Sequence, residues 1–171
     1  HFGLPDDRTL FLFSFDMSSL LTRKNPLAVV AAFRRAFRPD DRAHLAIKVS
    51  RGKADPAGLA ALTAACRDAG ATLIDALLTR EDTLALLASA DCYVSLHRSE
   101  GLGLGMAEMM RLGKPVIATG YSGNLDFMTA ETAYLVDYER VPIVEDLFPY
   151  PKGCLWADPS VGHAAELMRR G

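Results

Sequence analysis

From Ser99 to Met110 the sequence runs SEGLGLGMAEMM, with Glu100 and Glu108 on either side of Gly101, Gly103 and Gly105. A core strand has no use for the carboxylates, and a core helix avoids the glycines. Glycines between a strand and a helix let backbone N–H groups approach a ligand closely, and a helix N-terminus adds partial positive charge. Together these suit a phosphate group, although the glycines alone fit a tight strand-to-helix turn equally well. The carboxylates cannot favour phosphate by charge. They can accept hydrogen bonds from hydroxyls, and vicinal sugar hydroxyls are natural donors. Amides for a diphosphate together with carboxylates for sugar hydroxyls describe a nucleotide sugar. Glu108 could be a plain surface glutamate of a helix, but its apolar neighbours in MAEMM favour a partly buried glutamate that needs a partner.

Such a site needs a scaffold, and the hydrophobic pattern supplies one. TLFLFSF (9–15) is almost wholly apolar and suits a strand buried on both faces. HLAIKVS, ATLIDAL, DCYVSL, KPVIAT and TAYLVDY follow as strands two to six. Between them lie helical stretches. NPLAVVAAFRRAF has Asn25 as its cap, Pro26 at its first position, and Leu27, Val30, Ala31, Phe33 and Phe37 on one face. DPAGLAALTAACRDAG has Asp55 as cap and Gly70 as stop, and in TREDTLALLASA Thr79 and Asp82 resemble a capping box. A helix runs from about Leu104 to Leu112 and ends at Gly113, GNLDFMT is a short helical turn, and DPSVGHAAELMRR is a last capped helix. VPIVEDLFPYPKGCLWADP, with three prolines before Asp158-Pro159, reads as irregular.

Alternating strands and helices predict an α/β, Rossmann-like, doubly wound, mostly parallel sheet of about six strands with helices on both faces. The polar loops DMSSLLTRKN, SRGKAD, LTRED, HRSEGLG and GYSGN all follow strands. They should share the carboxyl edge, where ligands bind at a topological switch.

The stretch SEGLGLGMAEMMRLGKPVIATGYSGN resembles the glutamate-x7-glutamate signature of group-1 (family 4) retaining glycosyltransferases of the GT-B fold. The similarity continues through AYLVDY, and RKNPLAVVAAFRRAF resembles that family's lysine-bearing loop and following helix. The resemblance implies that residues 1–171 form one nucleotide-sugar-binding domain, the C-terminal half of a GT-B enzyme whose N-terminal acceptor domain is absent. It implies that Glu108 holds the donor ribose, Glu100 meets the transferred sugar, Leu102, Gly103 and Leu104 offer amides to the diphosphate beside Gly101, and Lys24 neutralises the phosphates. Ser122 and Gly123 match the glycine-containing turn. No cofactor and no metal is expected, the nucleotide sugar being substrate. Where the family carries Gly-Arg after the first strand, this chain has Phe15 and Asp16; Arg23 is the candidate substitute. Asp16, His97 and Arg98 belong to the right edge, for sugar contact or for loop hydrogen bonding. A non-catalytic nucleotide-sugar-binding or regulatory module is the alternative to an enzyme half.

Composition narrows the remaining classes. Half of the 171 residues are hydrophobic, enough for a sizeable core, and the net charge of −2 has no like-charged block. That argues against nucleic acid as a partner. No apolar run approaches the ~20 residues of a transmembrane helix, so any membrane contact would be peripheral and made through the missing half. Cys66, Cys92 and Cys154 are odd in number and widely spaced, His1, His44, His97 and His163 lack metal spacing, and a reducing cytoplasm fits best. The start at His1, in HFGLPDDRT, and the end in AAELMRRG both have the look of cuts in a larger protein.

Overall fold

The computed structural model describes residues 2–170; the expectations resting on His1 and Gly171 lie outside them. Strand β1 (Thr9–Asp16) is the centre of the fold. Its run Leu10 to Phe13 is buried on both faces, as an unbroken apolar stretch requires. Phe11 packs against Phe33 and Phe37, with ring centroids 6.0 and 5.3 Å away. These rings sit on or beside α2 (Pro26–Ala36), which follows a single helical turn, α1 (Leu21–Lys24).

The remaining strands are β2 (Ala43–Ser50), β3 (Thr72–Asp75), β4 (Cys92–Ser95), β5 (Val116–Thr119) and β6 (Tyr134–Val136). All pair in parallel, in the order β3-β2-β1-β4-β5-β6. The helices α3 (Pro56–Asp68), α4 (Arg80–Ser89), α5 (Leu104–Arg111) and α6 (Val161–Arg170) form two groups, α2 with α3 and α6, and α4 with α5. The expected doubly wound parallel sheet is therefore present. Its order reverses between β1 and β4, so the loops leaving those two strands diverge and open a crevice at their carboxyl ends. Leu10 N–H donates to Asp91 Oδ2 at 2.8 Å, tying the start of β1 to the turn before β4.

Several local expectations need correction. Asn25 does not cap α2 through its side chain; its backbone is left-handed (φ 55°) and its amide Nδ2 donates to Leu96 O at 2.9 Å. The buried face of α2 is Pro26, Val29, Val30, Ala32, Phe33 and Ala36, while Leu27 and Ala31 are exposed. Strands three and six are shorter than their apolar runs. Residues 141–159 are irregular only in their middle, 143–154: at either end β7 (Tyr138–Pro142) and β8 (Leu155–Pro159) pair antiparallel as a separate two-stranded ribbon. The prolines fit because neither strand is flanked by a further partner. The other expected caps hold. Asp55 accepts from Gly58 N–H and Thr79 Oγ1 from Asp82 N–H, at 2.9 and 3.0 Å. The last helix is capped by Ser160, whose Oγ accepts from His163 N–H at 3.2 Å. No two cysteines are paired, and burial pushes the Cys66 and Cys92 thiols up to about 11 and about 12. Among the described residues, no helix is long and apolar enough to cross a membrane.

Candidate active site

A cleft of about 430 Å³ lies at the reversal of strand order. One wall is the turn after β1, with Arg23 and Lys24; the other is the loop after β4, from Glu100 to Leu104. The two segments are stitched together by their backbones. Arg98 N–H donates to Arg23 O at 2.8 Å, and Arg23 Nη1 donates to Ser99 O at 2.8 Å.

Charge is concentrated at this seam. Lys24 Nζ forms a direct, very short ion pair with Glu100 Oε1, and Arg23 Nη1 stands 3.4 Å from Glu100 Oε2. The three side chains retain only 16, 14 and 10% exposure for Lys24, Arg23 and Glu100. Two cations against one carboxylate leave the cleft with one uncompensated positive charge, a field that attracts an anion. The glycine loop then hands its amides to the same space. Gly103 takes a left-handed conformation (φ 83°) and starts α5, whose first N–H groups have no partner within the helix.

The GYSGN turn braces this loop from behind. Ser122 Oγ accepts from Glu100 N–H at 2.8 Å, and Gly123 N–H donates to Glu100 O at 3.1 Å. A Cβ on Gly123 would stand 1.9 Å from Gly101 O, so only glycine allows the two backbones to touch. Ser122 pays for its position with a strained backbone (φ 69°).

The floor was not foreseen from the sequence. Phe13, Ser14, Tyr93, Ser95 and Met106 line it, and Tyr150 enters from the ribbon. Tyr93 Oη donates to Ser14 O at 2.9 Å and accepts from Ser14 N–H at 3.2 Å. Burial pushes its phenol up to about 12, against the pull of the Ser14 hydrogen bonds. The only sequence signal for Tyr93 and Ser14 was polar atoms inside apolar strand runs.

Other candidates lie away from the cleft's lining. Glu108 is half-buried one turn into α5, and its carboxylate makes no hydrogen bond or ion pair among the described residues. Asp16 bonds Ser18 Oγ at 2.6 Å and pairs with Arg51. Its burial raises the carboxyl pKa, but the Ser18 bonds and Arg51 outweigh it and the net direction is down. Arg98 is committed to the ribbon: Nη1 donates to Asp158 Oδ1 at 2.7 Å, and its guanidinium lies 5.4 Å from the Trp156 ring. Asp16 and Arg98 both make loop bonds of the kind expected at this edge.

His97 is fully buried beneath the seam, and neither ring nitrogen has a hydrogen-bond partner; Asn124 Oδ1 is orphaned likewise. Burial drives the imidazole down to about 4; Lys24 and Arg23 push the same way, and Glu100 opposes. The ring is therefore neutral at physiological pH. Among the described residues, no three His, Cys, Asp or Glu side chains cluster so as to hold a metal ion.

Solved structures place this sheet among known folds. A glycosyltransferase from Rickettsia africae superimposes with a TM-score of 0.71 at 15% identity, over 97% of this chain and 38% of that one. A UDP-forming α,α-trehalose-phosphate synthase from Burkholderia xenovorans, in complex with glucose-6-phosphate, gives 0.70 at 14%, over 96% and 35%. Anabaena Alr3699/HepE, in complex with UDP and glucose, gives 0.67 at 14%, over 96% and 38%. The architecture is thus half of a GT-B glycosyltransferase fold, and the chain spans little more than a third of the length of these proteins. A family model for group 1 glycosyl transferases matches residues 10–144, and the chain belongs to that family. Compared by sequence with curated proteins, it has no match.

Proposed function

We propose that residues 1–171 are the donor-binding unit of a retaining glycosyltransferase that moves a sugar from a nucleoside diphosphate to an acceptor. One observation carries this reading: Arg23 and Lys24 from the β1 side, and Glu100 with the glycine loop from the β4 side, converge on one cleft at the switch point. On this reading Lys24, with Arg23 in place of the missing arginine, neutralises the diphosphate, the amides of Gly101 to Leu104 bind its oxygens, and Glu108 takes the ribose. Glu100 steadies the transferred sugar. The cations offset charge developing on the leaving group as the glycosidic bond breaks.

A nucleophile for double displacement must reach the anomeric carbon from the face opposite the leaving group. Glu100 directly precedes the diphosphate loop and is held by both cations, which favours a steadying role. Retention then follows from front-face attack, with the departing phosphate taking the acceptor proton. The acceptor would be presented by an N-terminal domain closing over the cleft, and no metal is required because Lys24 and Arg23 supply the positive charge. A cytoplasmic location is part of this proposal, supported by the use of a nucleotide sugar as donor.

Calorimetric titration with UDP, GDP and ADP, with and without chelator, tests the reading. Saturable binding of one of them, unaffected by chelator, is expected. Silence from all three at millimolar concentration overturns it. A trapped glycosyl ester on Glu100 in a transfer-competent parent protein would overturn the front-face mechanism alone.

A further inference from the structure

The cleft has one wall that none of the motif residues provides. Tyr150 lines it alongside Glu100 and Leu102, yet it lies 50 positions downstream, on the loop that joins β7 to β8. That loop is a built element. Ile143 N–H donates to Cys154 O and Gly153 N–H to Ile143 O, both at 2.8 Å, which extends the ribbon beyond its two strands. Leu147 N–H donates to Tyr150 O at 2.9 Å, closing a turn at its tip.

The ribbon is anchored beside the Glu100 loop. Ala157 N–H donates to Arg98 O at 2.9 Å, and Arg98 grips Asp158 and faces Trp156. The Tyr121 ring, in the turn that braces Glu100, packs 5.1 Å from Tyr138. The Tyr150 ring lies 6.5 Å from Trp156, and its hydroxyl makes no hydrogen bond among the described residues. Tyr150 thus offers the cleft a ring and a hydroxyl with no hydrogen-bond partner among the described residues.

We infer that Tyr150 is a donor-sugar contact: its ring packs on the transferred sugar and its hydroxyl bonds a sugar hydroxyl, so that it helps select which sugar is carried. This rests on the proposed nucleotide-sugar reading of the cleft. The sugar end is favoured over the nucleotide end because the ribbon that carries Tyr150 is anchored on Arg98, two residues before Glu100. Glu108, assigned to ribose, lies beyond the lining, farther along α5. Aromatic rings pack well on apolar C–H faces while their polar edge stays free to hydrogen-bond, and a sugar hydroxyl is both donor and acceptor.

The chain contains a single tryptophan, so Trp156 emission reports on the Tyr150 neighbourhood without labelling. UDP, GDP, ADP and panels of their hexose conjugates would be titrated into wild type, Tyr150→Phe, Tyr150→Ala and Phe148→Ala. Phe148 is on the same loop but 94% exposed and should behave as wild type. The nucleotide sugar, but not the bare nucleotide, should change Trp156 emission. Tyr150→Phe should weaken the nucleotide sugar roughly tenfold, as for one lost hydrogen bond, and Tyr150→Ala more, with the bare nucleotide unchanged in both. Because Tyr150→Phe keeps the ring, its result stands even if Tyr150→Ala loosens the ribbon. Equal loss for nucleotide and nucleotide sugar, or loss for neither, overturns the inference while leaving the cleft's reading intact. If wild type binds neither class, the donor reading fails and this inference with it.

Discussion

Lys24 and Glu100, 76 positions apart in the chain, form a direct ion pair across the mouth of the cleft, and Arg23 stands 3.4 Å from the other oxygen of the same carboxylate. The motif glutamate and the loop lysine are therefore not independent parts. The carboxylate is paired with the cations that are proposed to receive the diphosphate. Binding the donor must share or break that pair.

The pair sets opposite expectations for its two ends. Lys24→Ala removes a charged donor to phosphate and should weaken nucleoside diphosphate binding by about 1.5–3 kcal/mol, roughly tenfold to a hundredfold. Glu100→Gln releases Lys24 and should leave that affinity unchanged or improve it, while weakening the sugar-bearing donor. Isothermal titration of both variants at two salt concentrations checks this. A tenfold loss of bare nucleotide in Glu100→Gln would show that the carboxylate serves the nucleotide and not the sugar.

Glu108 supplies a separate test, since its carboxylate has no partner among the described residues and is available to a ligand. Glu108→Gln should cost nucleotide affinity on the order of 1.5–3 kcal/mol. A 2′-deoxy nucleotide should lose a similar amount against wild type and little more against the variant. If the variant and the deoxy ligand each weaken binding additively, the carboxylate does not hold the ribose.

Much of this architecture was legible in the sequence because its signals are local. Apolar runs of strand length, Pro at a helix start and glycines after β4 act over a few residues, and they gave the sheet, the helices and the glycine loop. What the sequence concealed depends on distant partners. The exchange of Asn25 from cap to Leu96 ligand requires the 96–100 segment to be in place. The ion pair of Lys24 with Glu100 joins two loops that meet only at the strand-order reversal. The β7–β8 ribbon reads as irregular because Tyr138, Glu139 and Arg140 are all exposed and show no alternation, and its position depends on Arg98 and Tyr121. Tyr150 carries no sequence signal at all; only the ribbon's anchoring brings it to the cleft.

His97 predicts a dependence on pH. Burial holds its folded pKa near 4, below the ordinary value of 6.5. On acidification the unfolded chain takes up this proton first, so stability is complete above about pH 6.5 and falls as pH drops towards 4. The loss from this one group is on the order of 3 kcal/mol at most. Urea unfolding of wild type and His97→Gln at pH 4.5, 5.5 and 7.5 isolates it. The difference in stability between the two proteins should shift in favour of the variant as pH falls. Parallel pH profiles would show that the ring is already protonated, or solvated, in the folded protein.

Gly101 and Gly123 touch through their backbones, and the same substitution should separate folding from binding at the two. A Cβ on Gly123 meets Gly101 O at 1.9 Å and Glu100 O at 2.9 Å, both main-chain atoms that cannot swing aside. Gly123→Ala must displace the Glu100 loop, and overpacking of this kind costs about 1–3 kcal/mol, a fall of several degrees in Tm. A Cβ on Gly101 meets nothing within 4 Å, and that residue is exposed on the lining of the cleft. Gly101→Ala should therefore leave Tm nearly unchanged while crowding the space assigned to the diphosphate, and nucleotide affinity should fall. Thermal denaturation paired with titration distinguishes the cases. A stable Gly123→Ala protein with normal binding would mean that the brace behind Glu100 yields freely. A Gly101→Ala protein with undiminished affinity would move the diphosphate out of this loop.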